Sequence, residues 1–279
     1  MAFFDDLETR SSDQRSTENA ALLKDILNLA INLDGYKATF DSVDLSIFKS
    51  LEDLPSLPVL RKSELTQKQV KGNLLGGYSA KKPFTFAHIF QSPGPIYEPG
   101  GISHDWWRIG RFLHALNIGN SDIVHNCFSY HLTPAGMIFE SGARAVGAAV
   151  VPAGVGQTEL QVRAASDIGS NVYSGTPDYL KIILDKADEM SEKLSFNRAA
   201  VGGGALFPSL RQEYADRGIV CRQNYATADL GNVAYESEAL DGMIVDEGVI
   251  VEIVTPGTGN PVPIGEVGEV VVTSLNADY

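Results

Sequence analysis

Between residues 122 and 221, short apolar runs take turns with segments of helical period, and this alternation limits the folds open to the chain. Residues 122–128 read as a strand, 137–145 as a helix and 148–152 as a buried strand. The series continues with strand 171–173, helix 177–192, strand 198–201, helix 209–216 and strand 219–221. Neighbouring parallel strands need a crossover between them, usually a helix, so the pattern predicts a wound α/β domain.

The flanking regions read differently. The first forty residues predict helix, with Leu22, Leu23, Ile26, Leu27, Leu29, Ala30 and Ile31 at roughly helical spacing. Residues 51–60 carry two prolines and read as an extended connector, and the Gly-rich 72–80 as a loop. Residues 85–90 read as a strand leading into a Pro-rich loop at 91–99. Beyond it Trp106, Ile109, Leu113 and Leu116 mark one face of a helix, and the Trp106-Trp107 pair is anchor packing. Past Asp241, strands at 243–245, 249–254 and 268–273 surround the Gly/Pro turn 255–261. They predict a small antiparallel β unit at the C-terminal end. The expected organisation is a helical and connector region over 1–80, an α/β core over 81–240 and a β subdomain over 241–279.

Charge and cysteine content narrow the function classes. The net charge of −13 leaves no basic face for nucleic acid or an anionic membrane. The opening Met-Ala-Phe-Phe-Asp-Asp lacks the basic start of a signal peptide, and the apolar run near residues 145–155 is too short to span a bilayer. Asp5, Asp6 and Glu8 read as a solvated cap. Cys127 and Cys221 form no CxxC, so a reduced, cytoplasmic setting is expected. His125, Cys127 and His131 lie close together, but their spacing fits no standard zinc pattern.

Several separated segments resemble one family in order along the chain. Phe4-Asp5-Asp6-Leu7-Glu8-Thr9-Arg10 and Leu57-Pro58-Val59-Leu60-Arg61-Lys62-Ser63-Glu64-Leu65 are similar to the N-terminal part of phenylacetate–coenzyme A ligases. Asp122-Ile123-Val124-His125-Asn126, with Tyr130 and the run to Gly136, resembles their acyl-pocket segment. Gly265-Glu266-Val267-Gly268-Glu269-Val270-Val271-Val272-Thr273-Ser274-Leu275 resembles their closing β motif. The resemblance implies the wound strand–helix–strand large N-terminal domain of an adenylate-forming, AMP-binding enzyme. It also implies a reaction: ATP and a carboxylate give an acyl-adenylate, which coenzyme A then takes as a thioester. Such phosphoryl chemistry rests on positioning and on Mg²⁺ and donors that offset developing charge.

The same resemblance assigns candidate residues. Gly203, Gly204 and Ala205, opening the run to Arg211, match the adenine loop, with Gly204 where an acidic residue is usual. A glycine-rich strand-to-helix turn accounts for these residues equally well. Asn224-Tyr225-Ala226-Thr227-Ala228-Asp229 is similar to the Tyr-Gly-x-Ser/Thr-Glu motif. There Tyr225 and Ala226 would lie at the nucleotide and Asp229 would bind Mg²⁺ as the catalytic carboxylate, while Ala228 replaces a phosphate-touching hydroxyl. A capped helix start at Thr227 or Asp229 is the alternative. The acyl pocket would be lined by Phe128, Tyr130, His131 and Gly136, aromatic surroundings that suit an aryl or arylacetic acid, though such residues also serve as simple core.

Residues 91–99, with Ser92 and Gly94, would lie near the β- and γ-phosphates. Yet this stretch holds three prolines without N–H groups, a single glycine and Glu98, a poor composition for a phosphate cradle. An Arg-x-x-Asp segment and a small lysine-bearing domain, which would follow the matched region, are not among the 279 residues. The chain is therefore expected not to complete thioesterification by itself. Two other readings stay open: a degenerate binding domain keeping an acyl or AMP pocket, and an enzyme receiving a preformed acyl group. Small-molecule carboxylate and nucleotide are the expected partners, with a homodimer as a family-level expectation.

Overall fold

A computed structural model describes residues 3–41, 43–45 and 48–278. Residues 1 and 2, within the expected N-terminal helical region, and Tyr279, the last residue of the expected β subdomain, lie outside that set. The chain divides into two compact units, Met1–Gly101 with Glu247–Tyr279, and Ile102–Asp246.

In the first unit, helix α1 (Ser12–Ala30) opens with a capping box. The Gln14 N–H donates to Ser11 Oγ at 3.2 Å and the Ser11 N–H to Gln14 Oε1 at 3.0 Å, satisfying two end donors that the helix cannot. Asn19, Leu23, Leu27 and Ala30 form its buried stripe. Helix α2 (Asp34–Phe40), the short α3 (Leu65–Lys68) and the hairpin β1 (His88–Ser92) and β2 (Ile96–Gly100) follow. Leu23 and Leu27 pack with Phe48, Leu54 and Leu275, so one core joins opposite ends of the sequence. Glu247 adds an ionic tie: Arg10 reaches it at 2.7 Å and Arg15 at 2.9 Å. Burial alone would raise the Glu247 pKa, but the bonds from Arg15 and Arg10 hold it below the ordinary glutamate range.

The second unit contains α4 (Gly110–Ala115), β3 (Ile123–Asn126), α5 (Ala135–Ala145), β4 (Ala149–Val151), α6 (Thr158–Ile168) and β5 (Val172–Gly175). Then come α7 (Pro177–Met190), β6 (Arg198–Val201), α8 (Pro208–Asp216), β7 (Val220–Thr227), β8 (Gly231–Tyr235) and β9 (Ile244–Val245). They build a seven-stranded sheet of order β4-β3-β5-β6-β7-β8-β9. The first five strands are parallel, while β8 and β9 join antiparallel. Leu180, Ile183, Leu184 and Ala187 give α7 a buried stripe against Tyr173, Ala199 and Val201 of the sheet. Gly142 lets α5 approach the residue before α4, since a Cβ there would lie 2.7 Å from Ile109. In the first unit, β10 (Val249–Val254) and β11 (Glu269–Ser274) pair antiparallel.

The wound α/β expectation and the small antiparallel pair are both present, and several local expectations are corrected. Residues 51–60 hold a 3-10 helix, Leu51–Ser56, rather than an extended connector. Trp106 and Trp107 precede α4 instead of lying on it, packed edge to face at 5.1 Å. The strand expected as buried at 148–152 is the sheet's edge strand β4, with Ala149 exposed. Ile244–Val245 pairs with β8 in the large sheet, not with β10. Residues 91–99 are not a loop; they form most of the β1–β2 hairpin, with Ser92 opposite Ile96 and a cis Gly94–Pro95 peptide in the turn.

Candidate functional site

Parallel strands aim their carboxyl ends at one edge of the sheet, and the strand order fixes where along that edge a crevice opens. From β3 the chain crosses outward to β4, then returns past β3 to β5 and proceeds the other way through β6 and β7. The winding therefore reverses between β3 and β5, the topological switch point at which open α/β sheets bind ligands. The segments following β3, β6 and β7 carry Phe128, Tyr130, His131 and Gly136, then Gly203, Gly204 and Ala205, and finally Asp229. All of them lie at the carboxyl edge.

Asn126, at the end of β3 and fully buried, shapes the first segment. Its Nδ2 donates to the Tyr130 hydroxyl at 2.8 Å and to the Gly136 carbonyl at 2.9 Å. Gly136 is needed there, because a Cβ would lie 2.8 Å from the Tyr130 ring. Phe128 stacks on Phe139 of α5 with ring centroids 4.2 Å apart. Burial, reinforced by the nearby Glu140 charge, raises the Tyr130 pKa and keeps the phenol protonated. His131 is exposed.

Behind this segment lies Gln161 of α6, itself buried. Its Oε1 accepts from Cys127 Sγ at 3.1 Å and lies 3.1 Å from His125 Nε2. Its Nε2 donates to the carbonyls of Gly154 and Gly156 at 2.9 and 2.8 Å. Burial lowers the His125 pKa and raises that of Cys127, so both are neutral packing groups. No group of three or more His, Cys, Asp or Glu that could hold a metal occurs among the described residues.

The glycine-rich turn after β6 has Gly203 at φ +70°, and a Cβ on it would sit 3.8 Å from the Phe128 ring. The aromatic segment and the glycine turn are thus neighbours. Next to them, the predicted Tyr-x-Thr-x-Asp stretch is not a helix start but the β7–β8 hairpin. Tyr225 is 44% exposed near the end of β7, beside a register shift at Ala226. In the turn, Thr227 Oγ1 donates to Asp229 Oδ1 at 2.7 Å and accepts the Leu230 N–H at 3.2 Å.

The hairpin is braced from beneath. Arg108, at φ +62°, donates to the carbonyls of Leu230 at 2.5 Å and Asn232 at 3.1 Å, and to Asp246 at 2.8 Å. Arg111 also reaches Asp246, at 3.2 Å. Gly231 admits the close passage of Trp107, whose carbonyl would be 2.6 Å from a Cβ there. Burial, with the Asp246 charge adding to it, pushes the adjacent Asp105 carboxyl up to about 6.

Ser92 and Gly94 belong to the other unit, in the β1–β2 hairpin. Gln69 clasps that hairpin, donating to the Tyr97 carbonyl and accepting the Tyr97 N–H, both at 2.7 Å. Glu98 is fully buried and paired with Lys62 at 2.9 Å. Asn126, Gln161 and Arg108 were not among the candidates from sequence. Asn126 stood inside a recognised motif, whereas nothing local marks Gln161 or Arg108.

No protein-family model matches the chain. It is 26% identical over 297 residues to phenylacetate-coenzyme A ligase of Thermus thermophilus, matching 100% of this chain and 65% of that protein. To the enzyme of the same name from Escherichia coli it is 26% identical over 293 residues, covering 98% and 66%. The chain thus spans slightly less than two thirds of these relatives' length. Among solved structures, 2-hydroxyisobutyryl-CoA ligase in complex with 2-HIB-AMP and CoA aligns with TM-score 0.87 at 20% identity, over 95% of this chain and 62% of that one. A sequence similar throughout to phenylacetate–coenzyme A ligases here takes the α/β fold of the adenylate-forming CoA ligases.

Proposed function

We propose that the chain is the large domain of a carboxylate-activating protein, holding an acyl group and an adenine nucleotide together at the carboxyl edge of its sheet. The parent reaction would be ATP-dependent formation of an acyl-adenylate from an organic acid, followed by transfer of the acyl group to coenzyme A. The observation that carries this reading is the meeting of the Phe128 ring with the Gly203 turn at the switch point. Phe128, stacked on Phe139, together with Tyr130 and Gly136, offers a flat apolar wall, so an aromatic carboxylate is the substrate class it fits.

In this reading the adenine lies along Gly203, Gly204 and Ala205, where small side chains let the backbone come close, with the half-exposed Tyr225 ring beside it. Asp229 is the group that would hold Mg²⁺, which usually takes one or two protein carboxylates and completes its shell with water and phosphate. The hydrogen bond from Thr227 fixes the orientation of that carboxylate, and the ion when bound would offset phosphate charge. His131 stands at the exposed rim.

Calorimetric titration with AMP and with an arylacetyl sulfamoyl-adenosine tests the proposal. Both should bind, the aryl compound at least tenfold more tightly than its acetyl counterpart, and Tyr225→Ala should weaken both about tenfold. Failure of all three to bind would overturn the reading. A preference for the acetyl compound would overturn the aromatic substrate class.

A further inference from the structure

A second hollow lies in the α/β unit, away from the carboxyl edge. Strand β7 pairs with β6 along residues 220–223, but β8 joins it only from Asn224 onward, opposite Tyr235. Glu236 extends that contact by one residue, its N–H donating to the Gln223 carbonyl at 3.0 Å. The chain then leaves for residues 237–242, so the start of β7 has no strand beside it on that side among the described residues. A groove of about 370 Å³ lies there, walled by Ala215, Ile219, Val220 and Leu240. This volume falls at the lower end of the range of small-molecule sites. Leu240 holds φ +51° and is 53% exposed, a strained backbone for a leucine and of the kind found at ligand clamps. A Cβ on Gly218 would meet nothing within 4 Å, which leaves that side of the groove open.

Two arginines also line the groove, and their charges are answered differently. Arg211 donates to the Cys221 carbonyl at 2.9 Å and to Glu236 at 2.6 Å. Glu236 accepts from Gln223 as well, from its N–H at 2.9 Å and its Nε2 at 3.0 Å. Arg222 is buried and donates to the carbonyl of Ala115 at the end of α4. Among the described residues that is its one hydrogen bond, and no carboxylate pairs with it. A carbonyl dipole does not neutralise a full charge, and a buried charge without a counter-ion is unfavourable. The other charges of this region are engaged or solvated. On α8 and just past it, Glu213 pairs with Lys181, Asp216 accepts from Gln212, and Arg217 pairs with Asp188. Glu238 and Asp241 flank Leu240 in an exposed loop, where water and salt screen them. One positive charge, that of Arg222, is left over.

We propose that this groove binds a small monocarboxylate with an apolar body, its carboxylate paired with Arg222 and its hydrocarbon laid along Ile219, Val220 and Leu240. A guanidinium offers five N–H donors in a planar fork that suits a carboxylate, and Ala115 takes one of them. A dianion would leave a charge of its own unanswered, and a neutral apolar molecule would leave Arg222 unpaired. The groove is separate from the carboxyl edge, because Tyr225 lies five residues beyond Val220 on the same strand, roughly 17 Å at the rise of an extended chain. The proposal does not rest on the function proposed above.

The test titrates octanoate, 1-octanol and octylamine into the 279-residue chain and follows the amide resonances of residues 215–222 and 240. Octanoate should saturate these shifts with an affinity at least fivefold tighter than that of octanol, and octylamine should be weaker still. Arg222→Gln should lower octanoate to the affinity of octanol and leave octanol unmoved. Should that variant fail to fold, Val220→Glu at an exposed position takes its place, and the added negative charge should weaken octanoate at least fivefold. Four results would overturn the proposal: no saturable shift, octanol binding as tightly as octanoate, a variant that leaves octanoate unaffected, or shifts confined to residues 127–134 and 202–207.

Discussion

Two hairpins with carboxylates do opposite things with them. In β1–β2, Glu98 is sealed from solvent and paired with Lys62, and Gln69 clasps the backbone of Tyr97. In β7–β8, the carboxylate of Asp229 stands in the turn, oriented by Thr227, while Arg108 and Trp107 fix the strands beneath it. The first hairpin uses its polar groups for its own cohesion; the second takes its support from outside, from Arg108 and Trp107. The lesson is that a carboxylate's value for chemistry depends on where the stabilising contacts fall. A group that closes a fold is not at the disposal of a ligand.

The largest expected effect comes from removing the support of the second hairpin. Asp246→Ala strips the buried partner from Arg108 and Arg111 and should destabilise the protein by about 3–5 kcal/mol in urea unfolding. A loss under about 1 kcal/mol would show that the brace is dispensable. Asp105→Asn should act in the other direction. Its carboxyl is raised to about 6 from an ordinary 3.8, so the native state holds the proton more tightly than the unfolded chain. That contribution is fully present below about pH 4 and is lost as pH rises through about 6. The variant should therefore gain up to about 3 kcal/mol at pH 8 and about nothing at pH 4. Equal effects at both pH values would refute the assignment.

On the first hairpin, Gln69→Ala leaves the N–H and carbonyl of Tyr97 without their partner and should cost about 2 kcal/mol. Asp229→Asn should change stability by only about 0.5 kcal/mol, because the amide keeps an oxygen that can accept from the Thr227 hydroxyl in this half-buried turn. A loss comparable to that of Gln69→Ala would erase the contrast between the hairpins.

Much of the α/β unit was legible because its helices carry long apolar stripes, as with Leu180, Ile183, Leu184 and Ala187. Helix α6 went unread, since its buried positions are Gln161, Val162 and Ala165, two of them polar or small. The 224–229 stretch was ambiguous for a chemical reason. A threonine accepting the N–H three residues on serves a helix cap and a tight turn alike, and the pairing of β7 with β8 decides between them. Residues 91–99 misread because prolines mark both loops and hairpin turns. Candidate site residues within one loop could be found from the chain alone. The Arg108–Asp246 pair, 138 residues apart, could not, because only tertiary packing brings it together.

The tie of Arg10 and Arg15 to Glu247, with Leu23 and Leu27 against Leu275, also bears on the order of events at the ribosome. Residues 102–246 are contiguous and carry their own core, so they can fold as they emerge. Helix α1 finds Phe48 and Leu54 within its own stretch of chain, but the cover from Leu275 and the tie to Glu247 come only with residues made after 246. Until then the stripe is only partly covered, and a ribosome stalled before residue 247 would leave the first unit without the residues that close it.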